Sequence, residues 1–300
     1  MSRGFRDGPV TVRAPATSAN LGPGFDTLGL ALGIHDQVSA EVVDHGLSID
    51  VEGEGAGDVP GDESHLVIRA MRAAFDQLGA QPPGLRVTCA NRIPHGRGLG
   101  SSAAAIVCGV VLANSLTSGR ALEPAQELEL AAALEGHPDN VAACLLGGLT
   151  IAWSDSDARA HATRVEPKGV APVVFIPAVT SSTNAARQAL PETVAHTDAV
   201  FNAARSALLV TALTTGATSS LWDATDDRLH QSYRAAGMPA SSELMTRLRD
   251  AGLAAAISGA GPTVLVLSRS QSEVETALQV AGDAWKSASP GFDLTGARVL

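Results

Sequence analysis

The chain has 300 residues, 45% of them hydrophobic, and a formal net charge of −10. This length fits one large domain or two ordinary domains, and the apolar content supplies a sizeable core, which excludes an intrinsically disordered protein. The acidic balance argues against nucleic acid and anionic membranes as partners.

The three cysteines, Cys89, Cys108 and Cys144, lie in apolar surroundings without C-x-x-C spacing. This pattern is typical of buried thiols in a reducing compartment. The N-terminal segment MSRGFRDGP has no apolar core of signal-peptide length, and no run reaches transmembrane length. We therefore expect a cytoplasmic protein with no membrane contact.

In the N-terminal half, hydrophobic periodicity predicts strands alternating with helices. Residues 15–26 carry two prolines and two glycines and predict a loop. The turn at residues 44–46 predicts a hairpin that pairs 37–43 with 47–51. The predicted strands are 10–14, 37–43, 47–51, 85–90 and 147–153, and the predicted helices are 64–78, 101–117, 124–135 and 137–146.

The C-terminal half repeats this mixture of strands and helices. The polar segment 154–159 is the best domain boundary, which gives domains 1–156 and 157–300. Strands are predicted near 161–165, 173–176, 253–258, 263–267 and 294–299. Residues 181–188 are predicted as a loop followed by a helix, and further helices are predicted at 199–214, 225–235, 242–251 and 271–285. The two halves together predict two α+β domains.

The segment PHGRGLGSSAAA, residues 94–105, is the strongest functional signal. Its three glycines let the backbone approach a ligand, and Ser101 and Ser102 then open an alanine-rich helix, for which serine is a favoured N-cap. A glycine loop that feeds a helix N-terminus is a ready anion site, and phosphate is the obvious anion. The structural alternative is a loop that caps a core helix and binds nothing.

Two other phosphate-binding loops fit this segment less well. The Walker pattern is absent because no lysine follows Gly100. A dinucleotide pattern is nominally met by Gly98, Gly100 and Ala103, with Glu123 twenty residues further on. However, the predicted strand 85–90 ends well before Gly98, whereas a dinucleotide loop follows its strand directly. A dinucleotide-dependent oxidoreductase stays as an alternative.

The loop resembles the phosphate loop of the GHMP superfamily, which contains galactokinase, homoserine kinase, mevalonate kinase and phosphomevalonate kinase. Three further segments resemble those of homoserine kinases: residues 15–29, residues 137–140 with Glu129 eight residues before His137, and residues 258–263. They are joined by Thr183-x-x-x-Arg187 and Tyr233-Arg234. The resemblance implies that ATP is bound by Pro94, His95, Gly96, Arg97, Gly98, Leu99, Gly100, Ser101, Ser102, Ala103 and Ala104.

The resemblance implies an N-terminal domain with a left-handed βαβ crossover and a ferredoxin-like C-terminal domain, with the active site between them. It also implies ATP-dependent phosphorylation of L-homoserine to O-phospho-L-homoserine, a step toward threonine, and leaves a homodimer open. A kinase for another small alcohol, such as mevalonate, and a catalytically silent nucleotide-binding regulator are the alternatives.

The resemblance also assigns residues to roles. Asn140, Arg187 and His137 would be catalytic, with Asn140 orienting the attacking hydroxyl in place of a carboxylate base. Mg²⁺ would be held by Ser101 and by Glu129, which precedes His137 by eight residues. The residues implied for substrate binding are Asn20, Asp26, His137, Asn140, Arg187 and Arg234.

Each of these residues also has a plain structural interpretation. Asn20 and Asp26 could close an Asx-turn, and Glu129 could be one acid on a solvated helix face. Asp139 could cap the helix that follows Gly136, and His137 could be a packed neutral histidine. Residues 259–262 could be only a turn between strands, and the contacts to adenine are left unassigned.

Overall fold

A computed structural model of the chain describes residues 4–300. The first part of the chain forms strands and helices that share one sheet and one core. In order they are β1 (Val10–Asn20), β2 (Gly24–Val43), β3 (Gly46–Gly53), α1 (Leu66–Leu78), β4 (Gly84–Asn91), α2 (Ser101–Leu116), α3 (Pro124–Glu135), α4 (Pro138–Leu146), β5 (Leu149–Ser154) and β6 (Ala160–Val165).

The rest of the chain forms a second, smaller sheet with its own helices. Its elements are β7 (Ala171–Ile176), α5 (Thr183–Gln188), α6 (His196–Thr215), α7 (Leu221–Ala224), α8 (Gln231–Arg234), α9 (Pro239–Asp250), β8 (Ala255–Ile257), β9 (Val264–Ser268), α10 (Gln271–Ala281) and β10 (Lys286–Ala288). The last strand, β11 (Arg298–Val299), returns to the first sheet.

The first sheet has the order β11-β1-β2-β4-β3, and β5 and β6 extend it from β2. Strands β3 and β4 are parallel and are joined through α1, which makes a βαβ unit. Helix α2 packs against α1 and β1, and α4 packs against β2, so the helices cover the apolar face of the sheet. Because α2 is apolar on all sides, it lies in the middle of this layer.

The second sheet has the order β10-β7-β9-β8, with antiparallel pairing throughout. Along the chain, its strands and main helices follow the sequence β-α-β-β-α-β, which is the ferredoxin-like arrangement. The predicted α+β class with a ferredoxin-like second half is therefore confirmed. Across residues 4–300, no helix is both long enough and apolar enough to cross a membrane.

The predicted hairpin between 37–43 and 47–51 is wrong. β4 lies between β2 and β3, antiparallel to β2 and parallel to β3. Leu85, Val87 and Cys89 on β4 are fully buried, whereas β3 alternates between half-buried and exposed residues. The strand with more apolar surface to bury takes the inner position, and β3 becomes the edge.

The prediction of a loop over residues 15–26 is also wrong. β1 continues through Asn20, and only residues 21–23 form a turn before β2 begins. The strand accommodates Pro15 because its pairing with β2 shifts register between Pro15 and Ala16. This extension carries Asn20 to the end of a strand, where its position is fixed.

The predicted helix 225–235 is broken in the structure. The buried carboxylate of Asp227 accepts hydrogen bonds from the backbone N–H groups of Leu229, His230 and Gln231. Such side-chain acceptors compete with helical hydrogen bonds, so the chain turns before α8. The helix predicted over 271–285 likewise ends at Ala281, and β10 follows it.

The division into domains 1–156 and 157–300 stays a prediction. Residue 156 falls in the connection between β5 and β6, which pair with each other in the first sheet. The chain also returns to that sheet at its end, where β11 pairs with β1. This pairing favours a boundary after Val165.

Candidate active site

A cleft of about 740 Å³ lies where the phosphate-loop segment meets residues of the second half of the chain. Six elements contribute to it: the β1–β2 turn region, the loop before α2 with the start of that helix, the α3–α4 junction, α5 with the residues just before it, α8 and the loop before β9. It is lined by Asn20, Asp26, Gly96, Arg97, Gly98, Gly100, Ser101, Ser102, Glu135, His137, Asp139, Asn140, Ser181, Thr183, Arg187, Arg234, Gly259, Ala260 and Gly261.

The predicted loop residues divide between this cleft and a neighbouring cavity. Gly96, Arg97, Gly98, Gly100, Ser101 and Ser102 line the cleft. The second cavity is lined by His95 and Ala104 and again by Ser101 and Ser102. Pro94, Leu99 and Ala103 are buried and line neither space.

Gly100, not a serine, is the N-cap of α2, and it has a φ of 70°. A Cβ on Gly100 would meet the hydroxyl of Thr17, so glycine is required here by both conformation and space. The hydroxyls of Ser101 and Ser102 therefore do not cap the helix. The first N–H groups of α2 have no intrahelical acceptor, and together with the helix dipole they favour an anion at this end.

The loop is fastened to the second half of the chain. Arg97 donates to the carbonyl oxygens of Pro177 at 3.0 Å and Ala178 at 2.9 Å. Ser258 donates to the carbonyl oxygen of Gly98 at 2.6 Å, and Asn20 Nδ2 donates to that of Gly259 at 2.8 Å. The glycine segment 259–261 thus packs on the phosphate loop and is more than a turn between strands.

All six residues predicted to bind substrate line the cleft. Asp26 and Asn20 both have positive φ, at 53° and 69°, and Asn20 Oδ1 accepts from the backbone N–H of Asp26 at 3.0 Å. Non-glycine residues in this conformation cluster at functional sites. This contact spans six residues, so it is not the Asx-turn considered from the sequence, but it holds Asp26 at the cleft.

The two arginines differ in how they are paired. Arg187 binds the carboxylate of Asp26 through both terminal nitrogens, which raises the pKa of its guanidinium. Arg234 is buried and donates to Ala186 and to His230, but no carboxylate of residues 4–300 forms an ion pair with it. Burial accordingly lowers the pKa of Arg234. A buried guanidinium without a counter-charge favours an anionic ligand.

The α3–α4 junction places three side chains at the cleft. His137 Nδ1 lies 2.5 Å from Asp139 Oδ1, which also accepts from the backbone N–H of Asn140 at 2.8 Å. Burial opposes protonation of His137, but the hydrogen bond and the charge of Asp139 outweigh burial and raise its pKa. The N-cap of α4 is His137, so Asp139 sits inside the first turn and is not the predicted cap.

The structure does not bring Glu129 to the cleft. Glu129 is exposed on α3, and the carboxylate that lines the cleft is Glu135, at the last position of that helix. Ser102 Oγ donates to Glu135 Oε1 at 2.6 Å, and burial raises the pKa of Glu135. Sequence reasoning missed this residue, although its position directly before Gly136-His137 is a usable signal.

The carboxylate and hydroxyl of Glu135 and Ser102 suit Mg²⁺, which prefers oxygen ligands and keeps phosphate oxygens and water for its other positions. Asp26, His137 and Asp139 also have potential ligand atoms within 4.8 Å of one another. Those three groups already bind each other or Arg187, so they are less free to hold a metal.

Comparison with known proteins agrees with this geometry. The family profile "GHMP kinases N terminal domain" matches residues 65–148, and "GHMP kinases C terminal" matches residues 212–287. A homoserine kinase of Streptomyces coelicolor is 55% identical over 99% of this chain and 96% of its own length, and one of Clavibacter michiganensis is 48% identical over 97% and 93%.

Among solved structures, a homoserine kinase from Cytophaga hutchinsonii superposes with a TM-score of 0.85 at 29% identity, covering 97% of both chains. The similarity therefore extends over sequence, fold and both halves of the molecule. The chain belongs to the GHMP kinase family and, within it, to the homoserine kinases.

Proposed function

We propose that this protein transfers the γ-phosphoryl group of ATP to the side-chain hydroxyl of L-homoserine, giving ADP and O-phospho-L-homoserine for threonine biosynthesis. The observation that carries the proposal is that one cleft joins the N-terminus of α2, Asn140 and Arg234, a buried arginine that forms no ion pair with a carboxylate of residues 4–300. A phosphate, a hydroxyl and a carboxylate can therefore meet in it. A cytoplasmic location and a homodimer stay predictions.

The cavity beside the cleft is the proposed site of the adenine base. It shares Ser101 and Ser102 with the cleft, so a nucleotide whose phosphates lie at α2 can extend into it. Its walls are largely apolar and include Val67, Leu66 and Val38. His65 Nδ1 is buried there without a hydrogen-bond partner in residues 4–300, and burial lowers the pKa of this imidazole. A neutral imidazole nitrogen can serve a polar edge of adenine.

Ser102 and Glu135 are the proposed ligands of Mg²⁺, in place of Ser101 and Glu129. When bound, Mg²⁺ supplies positive charge that offsets the charge of the transferring phosphoryl group. The raised pKa of Glu135 fits this role, because a half-buried carboxylate whose one hydrogen-bond partner within residues 4–300 is a serine hydroxyl is stabilised by a nearby cation.

Homoserine carries an ammonium and a carboxylate, and the cleft offers a partner for each. The Asp26 carboxylate has about four acceptor sites and can serve Arg187 and an ammonium together. Arg234 has N–H donors left after its bonds to Ala186 and His230. The carboxylate of the substrate would supply the negative charge that this buried guanidinium lacks.

Proton removal does not require a carboxylate base in this arrangement. Phosphoryl transfer through a loose transition state depends chiefly on positioning and on charge stabilisation. Asn140 would hold the hydroxyl, while the N–H groups of α2 and the guanidinium of Arg187 face the same cleft. The acid nearest to Asn140 is Asp139, which is engaged by His137 and by the backbone of Asn140.

A coupled assay of ADP release tests the proposal, with ATP and Mg²⁺ and with homoserine, mevalonate, shikimate and galactose as separate acceptors. We expect turnover with homoserine, and turnover with the others lower by orders of magnitude. Preferred turnover of mevalonate would make this chain a kinase of another small alcohol. ADP release independent of every acceptor would contradict the proposed transfer.

A further inference from the structure

One buried hydroxyl connects the phosphate loop with Asn140. Thr17 lies on β1 and is fully buried. Its Oγ1 donates to Asn140 Oδ1 at 2.7 Å, and its backbone N–H donates to the carbonyl oxygen of Leu99 at 3.0 Å. Thr17 itself does not line the cleft. Any effect on the reaction must therefore pass through its neighbours.

In the structure this contact leaves one end of the Asn140 carboxamide free. A carboxamide has an acceptor end, Oδ1, and a donor end, Nδ2. Thr17 occupies the acceptor end, whereas Nδ2 has no hydrogen-bond partner within residues 4–300, and Asn140 lines the cleft. The donor end is thus the one available to a ligand.

We propose that Thr17 is a positioning residue that holds the Asn140 carboxamide with its Nδ2 donor toward the substrate. This inference rests on the proposed function. A donor can bind the oxygen of the attacking hydroxyl or a phosphoryl oxygen. The inverted amide would present Oδ1, which repels phosphoryl oxygens and leaves the attacking oxygen without a donor. The Thr17 hydroxyl is the one hydrogen-bond partner of the Asn140 side chain within residues 4–300, so without it the carboxamide is free to rotate out of this orientation.

Thr17→Val, which keeps the shape and removes the hydroxyl, is the principal test. We expect kcat to fall by about 10- to 100-fold, because the Asn140 carboxamide is no longer held in position for the reaction. The KM of ATP and the KM of homoserine should change little. Thr17→Ser keeps the hydroxyl and should recover most of the lost kcat. The matched control is Thr150→Val: Thr150 is equally buried, but its hydroxyl contacts the carbonyl oxygen of Gly29 outside the cleft.

A double-mutant cycle separates positioning from general loosening of the core. If Thr17 acts through Asn140, Thr17→Val should have almost no further effect on kcat in an Asn140→Ala background. The proposal is overturned by an undiminished kcat in Thr17→Val, or by an equal loss of kcat in both backgrounds. If Thr17→Val gives no cooperative thermal transition, Thr17→Ala and Thr17→Ser are compared in its place.

A measurement without turnover keeps this inference distinct from the proposed function. In ¹⁵N-labelled protein, the side-chain amide signal of Asn140 is identified by its loss in Asn140→Ala. Thr17→Val should shift or split that signal, and Thr150→Val should leave it in place. An unmoved signal in Thr17→Val would refute the contact, whether or not homoserine is the acceptor.

Discussion

Arg187 binds Asp26 through two parallel hydrogen bonds, of 3.0 Å and 2.8 Å, although 161 positions separate them in the sequence. Asp26 belongs to the start of β2, in the first sheet, and Arg187 to α5, which follows β7 of the second sheet. The pair therefore closes one side of the cleft between two parts of the fold. Helix α5 buries none of its residues, so this ion pair is a main anchor of its position.

Gly100→Ala should weaken ATP binding by at least about tenfold, which corresponds to about 1.4 kcal/mol. The added Cβ would displace the Thr17 hydroxyl, in addition to the strain of a positive φ. Gly79→Ala is the control, because Gly79 has a similar φ of 74° and open space around its Cβ position. It should cost about 1–2 kcal/mol of stability and no ATP affinity.

Calorimetric titration of both folded variants with a non-hydrolysable ATP analogue measures the difference. Equal affinities of Gly100→Ala and Gly79→Ala for the ATP analogue would show that the phosphates do not bind at this loop.

Glu135→Gln should lower kcat by on the order of 100-fold or more, with partial recovery at high Mg²⁺, since the neutral amide is a poor ligand. Glu129→Gln is the matched control on the same helix and should behave as wild type, because Glu129 is exposed away from the cleft. Rates measured across a Mg²⁺ series separate the two variants. A Mg²⁺ dependence altered only in Glu129→Gln would restore the assignment made from the sequence.

The contrast between Glu129 and Glu135 shows where motif spacing fails. The interval of eight residues to His137 selects Glu129, but in this chain only Gly136 separates the last residue of α3 from His137. Six residues correspond to about one and two-thirds helical turns, so the two acids point in different directions. Counting along the chain cannot show this, whereas the end of α3 fixes Glu135 beside Ser102.

Local signals did predict most helices, because their boundaries are set by nearby residues. Pro124 and Gly136 bracket α3, and the predicted and observed bounds agree. Strand pairing depends on distant residues: nothing near residues 44–46 indicates that β4 will insert between β2 and β3. The break near Asp227 likewise requires knowledge that its carboxylate is buried. The Thr17–Asn140 contact spans 123 positions and has no local signal at all.

Asp139→Asn should lower the melting temperature and reduce kcat by less than about tenfold, because the proposed reaction uses no carboxylate base and Asp139 binds His137 and the backbone N–H of Asn140. Hydrogen bonds to charged groups contribute about 1.5–3 kcal/mol. Thermal melts and steady-state rates of the same preparation measure both effects. A loss of several orders of magnitude in kcat at an unchanged melting temperature would make Asp139 the base.

The stability cost of Asp139→Asn should also depend on pH. The pKa of His137 is raised in the folded protein by Asp139, so the pair contributes fully below about pH 6.5, the ordinary value. This contribution is lost as the pH rises through the raised pKa. The difference in unfolding free energy between wild type and Asp139→Asn should therefore shrink as the pH rises above about 6.5 and through the raised pKa of His137. A difference constant over that range would show that His137 is not charged beside Asp139.

Arg234→Leu should raise the KM for homoserine by at least about 30-fold and leave the KM for ATP nearly unchanged. Losing one partner of a buried charge pair costs roughly 2–5 kcal/mol, and Arg234 is a buried guanidinium with no carboxylate partner within residues 4–300. The same change should weaken discrimination against alcohols that lack a carboxylate.

Arg228→Leu is the control, because Arg228 is exposed, pairs with Asp198 and lies outside the cleft. Kinetics with both substrates varied decide the assignment: a shift in the KM for ATP alone would place Arg234 with the phosphates, and no shift in either KM would mean that homoserine is recognised elsewhere.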